Sequence, residues 1–297
     1  MKEEFKSGFV AIVGKPNVGK STILNYLLKQ KVAIVSDKPE TTRDNIQGIL
    51  NCDNGQIIFI DTPGIHNPHL LLGHNMVRKA KNSLFDADLI LFIVDVASGF
   101  REEDQMILQL IKDVKKPCLL LINKIDKVSK SKALPIIDGV QRKYDFLEII
   151  PISAIAGDNM EVLKEHVLKH LSSGEKYYPD EQFSDKNDAF FVSEIIREKV
   201  LMFTHQEVPH SVAVELENFA YNEEKEMLEI GAVIYVERES QKGIIIGQKG
   251  EMIKKISTIS RKEIEDRFGR KVFLNAWVKV LRNWRKDPIV LKKLGMV

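Results

Sequence analysis

Short apolar runs alternate with amphipathic stretches through the first 171 residues of the chain. Most runs are strand-length and lack polar alternation, which is typical of strands buried on both faces of a parallel sheet. Strand–helix alternation of this kind predicts a doubly wound, mostly parallel α/β domain with right-handed crossovers. The predicted strands are Phe9–Val13, Ile57–Ile60, Leu89–Val94, Cys118–Ile122 and Glu148–Ile152. The predicted helices are Ser21–Gln30, Leu72–Leu84, Glu103–Val114, Lys132–Lys143 and Asn159–Leu171.

One pair of runs departs from this alternation. Ile46–Asn51 and Gln56–Ile60 are separated only by the four residues Cys52-Asp53-Asn54-Gly55. An Asn-Gly step between two apolar runs is a hairpin signal. We therefore expect these two strands to pair antiparallel at one edge of the sheet.

The pattern changes after residue 171, where the first domain (residues 1–171) is expected to end. Residues 172–188 contain Ser-Ser-Gly, a proline and many charges, and we interpret them as a linker. Residues 189–297 then predict a smaller α+β domain in the order helix, strand, strand, helix, helix, strand. Five of these six elements have predicted bounds: helix Ala189–Thr204, strands Ser211–Ala220 and Met227–Glu237, helix Glu251–Phe268 and strand Lys271–Leu281. The remaining helix is expected directly before the Gly-x-x-Gly loop.

Composition excludes several classes of protein. The hydrophobic fraction of 44% and the charged fraction of 29% are near globular averages, which excludes a disordered or fibrous chain. The sequence has no apolar run of about 18 residues, so no transmembrane helix is expected. The N-terminal residues lack the apolar core of a signal peptide. Two cysteines are too few for a disulfide framework or a thiolate metal site, and a cytoplasmic protein is expected.

The net charge of +2 hides an asymmetry along the chain. Residues 241–297 contain 15 basic and 5 acidic side chains, whereas residues 205–240 contain 2 basic and 9 acidic ones. A basic block indicates a polyanionic partner, unless it is simply a solvated charged face.

A phosphate-binding loop follows the first predicted strand and opens the first predicted helix. Residues 14–21 read Gly-Lys-Pro-Asn-Val-Gly-Lys-Ser and fit the pattern G-x-x-x-x-G-K-[ST]. The backbone N–H groups of such a loop bind phosphates, helped by the positive end of the helix. Lys20 is expected to reach the β- and γ-phosphates, and the Ser21 hydroxyl to bind Mg²⁺. The predicted nucleotide-binding residues here are Gly14, Lys15, Pro16, Asn17, Val18, Gly19, Lys20, Ser21 and Thr22.

A second motif, Asp61-Thr62-Pro63-Gly64, follows the strand Ile57–Ile60. The Asp61 carboxylate is suited to hold the hydration shell of Mg²⁺. The Gly64 N–H is suited to bond the γ-phosphate and to be released on hydrolysis.

A third motif, Asn123-Lys124-Ile125-Asp126, ends the strand Cys118–Ile122, at the sheet edge where ligand groups gather. The Asp126 carboxylate only accepts hydrogen bonds, which suits the two adjacent N–H donors of guanine and not adenine. The Lys124 stem is expected to cover the base. Ser153-Ala154, after the next strand, would add a backbone N–H to the guanine carbonyl oxygen.

Together these loops resemble the GTPase superfamily of P-loop proteins, over roughly the first 170 residues. The resemblance makes Lys31–Gln47 the first switch, with Thr42 as the second hydroxyl on Mg²⁺ and Thr41 as the alternative. It implies roles in hydrolysis for Lys20, Thr42 and Gly64.

Hydrolysis is where the sequence departs from the Ras-like pattern. The position after Gly64 holds a water-orienting Gln in Ras-like enzymes and is Ile65 here. We therefore expect slow intrinsic hydrolysis, or help from another group. His66 is nearby, although a surface histidine is the simpler interpretation. Asn17 resembles the asparagine of related GTPases that bind potassium, so a K⁺ beside the phosphates is a hypothesis.

A Gly-x-x-Gly loop marks the basic part of the chain. Residues 247–250 lie between an isoleucine run and the predicted helix Glu251–Phe268. Such a loop between two helices lets the backbone approach a nucleic-acid backbone, as in KH domains, and the predicted element order matches type II KH domains. Trp277 and Trp284 are candidates for stacking on bases, although core packing is the simpler interpretation. The predicted RNA-binding residues are Ile246, Gly247, Gln248, Lys249, Gly250, Lys254 and Lys255.

The combination of the two domains resembles the Era family of GTPases over essentially the whole chain. The residues that carry the resemblance are 14–21, 40–43, 245–250 and 278–285, with Glu40 where the family commonly has Gln. The resemblance implies a bacterial GTPase of 30S ribosomal subunit assembly. Its KH domain would bind the 3′ end of 16S rRNA in a manner controlled by GTP. It also implies peripheral association with the inner membrane, and we expect a monomer.

Two other classes stay open on sequence grounds. One is a regulatory G protein whose basic C-terminal domain binds a membrane or a protein. The other is a P-loop kinase or ATPase, against which Asp126 argues.

Overall fold

The computed structural model describes residues 4–296, which divide into two compact units. Of these residues, unit 1 comprises 4–35, Glu40–His69 and Gly73–Asp185, and unit 2 comprises Ser36–Pro39, Leu70–Leu72 and 186–296. Within residues 4–296, every helix is too short or too polar to span a lipid bilayer.

A six-stranded sheet forms the centre of unit 1. Its strands are β1 (Lys6–Val13), β2 (Ile46–Cys52), β3 (Gly55–Asp61), β4 (Leu89–Asp95), β5 (Cys118–Asn123) and β6 (Glu148–Pro151). Their order across the sheet is β2-β3-β1-β4-β5-β6. All neighbours pair parallel except β2, which pairs antiparallel with β3 at the edge. The predicted mostly parallel sheet and its edge hairpin are confirmed.

Helices follow the strands of this sheet as the alternation predicted. They are α1 (Lys20–Leu28), α2 (Leu71–Asp86), α3 (Glu102–Val114), α4 (Lys130–Gln141) and α5 (Met160–His170). One apolar core combines residues of α2, α3 and α4 with alternate residues of β1, β4 and β5. Every residue of β4 and β5 is buried, because both faces of these strands are covered. Burial of this kind explains why their sequences show no polar alternation.

The segment 172–185, which the sequence predicts as the first part of a linker, packs against the strands of unit 1. The ring of Tyr177 meets that of Phe9 edge-on, with centroids 5.0 Å apart. The Gln56 side chain donates to Tyr178 O at 2.8 Å and accepts from Tyr177 N at 2.8 Å. The Ser184 hydroxyl donates to Gln47 O at 2.6 Å. The chain is therefore held to unit 1 as far as residues 184–185.

Unit 2 has the predicted order of elements. They are α6 (Asp188–Phe203), β7 (Ala213–Asn222), β8 (Met227–Val236), α7 (Glu239–Ile246), α8 (Glu251–Phe268), β9 (Lys271–Val280) and α9 (Pro288–Lys293). The sheet order is β7-β8-β9, with β7 antiparallel and β9 parallel to β8. Alternate residues of β8, from Leu228 to Val236, share a core with α6 and α8. The KH-type α+β arrangement predicted from the sequence is confirmed.

The short helix α9 is an element that the hydrophobic pattern does not predict. Its six residues are too few to show a helical period. Asp287 caps it, since its carboxylate accepts from Ile289 N and Val290 N, and Pro288 occupies the first turn. An Asp-Pro step is the available sequence signal for this helix start.

Candidate functional site

The phosphate loop joins β1 to α1 and holds its own lysine. Lys20 Nζ donates to Gly14 O at 3.1 Å and to Lys15 O at 3.0 Å. Burial lowers the pKa of Lys20 to about 8, and the Asp61 carboxylate acts in the opposite direction. Phosphate oxygens at this loop would add the negative charge that favours the protonated amine.

Gly19 connects the phosphate loop with the third motif. Its φ of +103° lies in the left-handed region, and a Cβ there would come 2.3 Å from Asn123 Nδ2. The same Asn123 amide donates to Val18 O at 2.7 Å, and Lys124 Nζ donates to Asn17 O at 2.6 Å. The two loops are thus held together by direct hydrogen bonds. Only glycine at position 19 leaves room for the Asn123 side chain that makes one of them.

A cluster of three oxygen-bearing side chains lies beside Lys20. The Ser21 hydroxyl donates to Asp61 Oδ2 at 2.7 Å and lies 3.0 Å from the Thr42 hydroxyl. Thr42 donates to the same Asp61 oxygen at 3.3 Å. The structure therefore brings together the three residues that the sequence suggested as Mg²⁺ ligands, including Thr42 of the two candidate threonines.

The chemistry of this cluster fits Mg²⁺. Asp61 Oδ1 is buried and makes no hydrogen bond among residues 4–296. Burial raises the pKa of Asp61 to about 6, and Lys20 acts in the opposite direction. A hard divalent cation binds hydroxyl and carboxylate oxygens and would relieve this buried carboxylate. Over the same residues, no group of three or more His, Cys, Asp or Glu side chains is arranged to hold a metal ion.

The second motif packs on the phosphate loop. A Cβ on Gly64 would lie 2.8 Å from Pro16 N, so the two backbones are in close contact. The Thr62 hydroxyl donates to Ile12 O at 2.8 Å and is buried, so this side chain anchors the end of the strand. Ile65 is buried in the core shared with α2, α3 and α4. Its side chain is therefore directed into the protein and not towards a nucleotide.

His66 is more constrained than a simple surface histidine. Its Nδ1 lies 2.9 Å from Gly64 O, and its Nε2 lies 3.4 Å from Glu40 Oε1. The hydrogen bond with Glu40 raises the pKa of His66 above its ordinary value. Glu40 belongs to the first switch and His66 follows the second motif, so this contact links the two segments. No spacing along the sequence signals this pair.

The residues predicted to bind the base contact one another at the ends of β5 and β6. Asp126 is exposed, and its Oδ1 accepts from the Ser153 hydroxyl at 2.6 Å. Ala154 N, expected to reach the guanine carbonyl, donates to Asn123 Oδ1 at 3.1 Å. Lys124 Nζ lies 2.7 Å from Asp95 Oδ2, a partner that the sequence analysis missed. Asp95 ends β4, beside β5, and its strand-end position was the available signal.

The Gly-x-x-Gly loop separates α7 from α8 in unit 2. Gly247 and Gly250 have φ of +72° and +81°, and a Cβ on Gly247 would lie 2.7 Å from the Cβ of Met252. Gln248, Lys249 and Lys254 are exposed. Glycine at position 247 is therefore required by its close approach to the start of α8. The loop presents a lysine and backbone groups to solvent.

Lys255 is also exposed, and the two tryptophans considered for base stacking differ from each other in burial. Lys255 Nζ lies 4.2 Å from the centre of the Phe203 ring, which anchors it over α6. Trp284 is fully buried, and its Nε1 donates to Ser211 O at 3.0 Å, so it cannot stack on a base. Trp277 is partly buried on β9, with Lys279 Nζ 5.6 Å from its ring.

Comparison with known proteins gives a family match within each of the two units. Residues 9–124 match the family described as 50S ribosome-binding GTPase, and residues 207–285 match the KH domain. The structure of a point variant of Aquifex aeolicus Era bound to GDP·AlF4⁻ is 45% identical, covers 99% of this chain and 100% of that one, and has a TM-score of 0.96. Era in complex with MgGDPNP and nucleotides 1506–1542 of 16S ribosomal RNA is also 45% identical, covers 99% of each chain and has a TM-score of 0.96. The chain therefore belongs to the Era family of GTPases.

Proposed function

We propose that this protein is a GTP-hydrolysing switch that binds 16S rRNA near its 3′ end and acts in assembly of the 30S subunit. The observation that carries the GTP chemistry is the cluster of Ser21, Thr42 and Asp61 beside Lys20, which suits Mg²⁺ and a triphosphate. The relatives crystallised with GDP·AlF4⁻ and with MgGDPNP support it.

The reaction transfers the γ-phosphoryl group of GTP to water. The water oxygen attacks the γ-phosphorus and the bond to the β–γ bridging oxygen breaks, which gives GDP and inorganic phosphate. Lys20 is held by two loop carbonyls and is positioned to stabilise charge on the β- and γ-phosphates. Ser21 and Thr42 would hold Mg²⁺ by their hydroxyls, and Asp61 through its hydration shell. Bound Mg²⁺ neutralises charge on the phosphates.

Slow hydrolysis follows from the surroundings of Ile65. A buried isoleucine cannot orient the attacking water, which is the role of the Gln in Ras-like enzymes. We propose that a K⁺ ion near Asn17 supplies the missing positive charge beside the phosphates. Asn17 has a left-handed φ of +62°, and its carbonyl accepts from Lys124, so its position in the loop is fixed.

The RNA would run over the loop between α7 and α8. Its backbone can approach this loop closely because residues 247 and 250 carry no side chain. Exposed Lys249 and Lys254 lie on the loop and the first turn of α8, where phosphates would pass. The relative solved with nucleotides 1506–1542 of 16S ribosomal RNA supports this partner.

The substitution Gly250→Asp tests the RNA partner. A carboxylate at this loop would face RNA phosphates, so affinity for an RNA of 16S sequence 1506–1542 should fall at least about tenfold, measured by fluorescence anisotropy. The matched control is Gly269→Asp at the other end of α8, since both glycines have a positive φ and no atom within 4 Å of the new Cβ. Equal RNA affinity of the two variants would refute the RNA-binding proposal.

The same two variants distinguish the RNA-binding function from the alternative function. A regulatory G protein whose basic C-terminal domain binds a membrane or a protein would keep its RNA affinity unchanged in both variants. Peripheral association with a membrane has support only from the basic residues near the C-terminus. Flotation of the wild-type protein with vesicles of anionic lipid measures it, and absence of co-flotation would contradict it.

A further inference from the structure

A buried ion pair connects the phosphate loop with α3. Lys15 is the second residue of the loop, and its Nζ lies 2.7 Å from Oδ2 of Asp104, in the first turn of α3. The same Nζ donates to Gly99 O at 3.2 Å. The Asp104 side chain is 0% exposed and that of Lys15 is 11% exposed. The Lys15 side chain is therefore bound to α3 and to the residue Gly99, although its backbone belongs to the phosphate loop.

Asp104 depends on Lys15 for its charge compensation. Its Oδ2 also accepts from Arg101 N at 2.8 Å, which fixes the carboxylate at the start of the helix. Its Oδ1 is buried and has no hydrogen-bond partner within the described residues. Removing either member of such a buried pair leaves the other charge unpaired, which is strongly unfavourable. Without Asp104, Lys15 would therefore move its ammonium group towards solvent.

The backbone of Lys15 carries this constraint to Lys20. The Lys15 carbonyl accepts from Lys20 Nζ at 3.0 Å. The Lys15 side chain is thus fixed by Asp104. The Lys15 carbonyl in turn fixes Lys20, the lysine expected to bind the phosphates. A shift of this carbonyl would move the Lys20 ammonium group.

We propose that Asp104 is a positioning residue for GTP hydrolysis, which acts through the Lys15 side chain to hold the Lys15 carbonyl and thereby Lys20. The proposal rests on the GTPase function proposed above. It assigns to the start of α3 a role in the reaction, although none of its side chains belongs to the nucleotide-binding motifs.

The substitution Asp104→Asn tests the proposal because it keeps the shape and removes the charge. Displacement of a group that stabilises the transition state lowers kcat, here by between about 10-fold and about 100-fold, measured as phosphate release at saturating GTP. KM for GTP should change less, because the base pocket is untouched. The control Asp88→Asn is equally isosteric. Asp88 accepts from Phe9 N at 2.8 Å at the other end of the sheet, and kcat should not change.

A double variant separates positioning from stability. Lys15→Met with Asp104→Leu removes both charges and leaves neither unpaired. Its melting temperature should therefore lie closer to that of the wild type than the melting temperature of Asp104→Asn does, while kcat stays low. A wild-type kcat in Asp104→Asn, or recovery of kcat together with stability in the double variant, would overturn the proposal. Absence of GTP hydrolysis by the wild-type protein would instead refute the proposed function.

Discussion

Several side chains of the nucleotide site are held in place by hydrogen bonds to other groups of the protein itself. Lys20 is held by two carbonyls, and Lys124 by Asp95 and by Asn17 O. Asp126 differs, because it is exposed and accepts one hydrogen bond from Ser153. The side chains predicted to face the phosphates are thus preorganised, whereas the carboxylate predicted to select the base remains accessible.

The base preference is tested by Asp126→Asn. An asparagine presents an N–H to guanine where the carboxylate accepts, so GTP affinity should fall at least about 100-fold and XTP should become the preferred nucleotide. Competition against a fluorescent GDP analogue measures both affinities. Asp138→Asn, at an exposed ion pair on α4, should leave GTP affinity unchanged. Unchanged GTP affinity in Asp126→Asn would show that this residue does not select the base.

The loops that follow strands of unit 1 act together as one structural element. Gly64 packs on Pro16, and Asn123 donates to Val18 O, so the second and third motifs both rest on the phosphate loop. His66 and Glu40 add a link between the first switch and the second motif. The first switch and the three motifs are therefore linked to one another by direct contacts.

The potassium proposal is tested on the phosphate loop. In the wild type, replacing K⁺ with Na⁺ should lower kcat at least about tenfold, because a positive charge beside the phosphates is lost. In Asn17→Ala the two salts should give the same low kcat. Asn82→Ala, on an exposed part of α2, should keep the wild-type response. Equal responses of Asn17→Ala and the wild type to the two salts would contradict the role of Asn17.

At the scale of the molecule, basic and acidic side chains are concentrated in different segments of the chain. The net charge of +2 combines a basic excess of 10 in residues 241–297, an acidic excess of 7 in residues 205–240 and an acidic excess of 1 in residues 1–204. The basic stretch contains the loop between α7 and α8 and all of α8. Acidic residues 223, 224 and 226 lie in the turn between β7 and β8. The near-neutral total is therefore no argument against a polyanionic partner.

Salt dependence tests this distribution of charge. The logarithm of RNA affinity should fall linearly with the logarithm of salt concentration. The reason is that lysines which bind RNA phosphates displace counterions from the RNA. Lys249→Gln should reduce the slope by about 0.7, the value for one phosphate contact on a single strand. Lys130→Gln, an exposed lysine on α4, should not change it. An identical slope in Lys249→Gln and the wild type would exclude a phosphate contact at this position.

The sequence by itself determined the sheet, its edge hairpin, the KH-type order of elements and the nucleotide motifs. Hydrophobic periodicity and motifs such as residues 14–21 are local, since a strand, a loop and a helix of fixed spacing already place their groups. Only the tertiary structure decided the pairs Lys15–Asp104, Lys124–Asp95 and His66–Glu40. Many carboxylates are equivalent by sequence pattern, and the chain topology alone selects which of them lies within hydrogen-bond distance of a given cation. For the same reason, burial of Ile65 and Trp284 became clear only from the packed core.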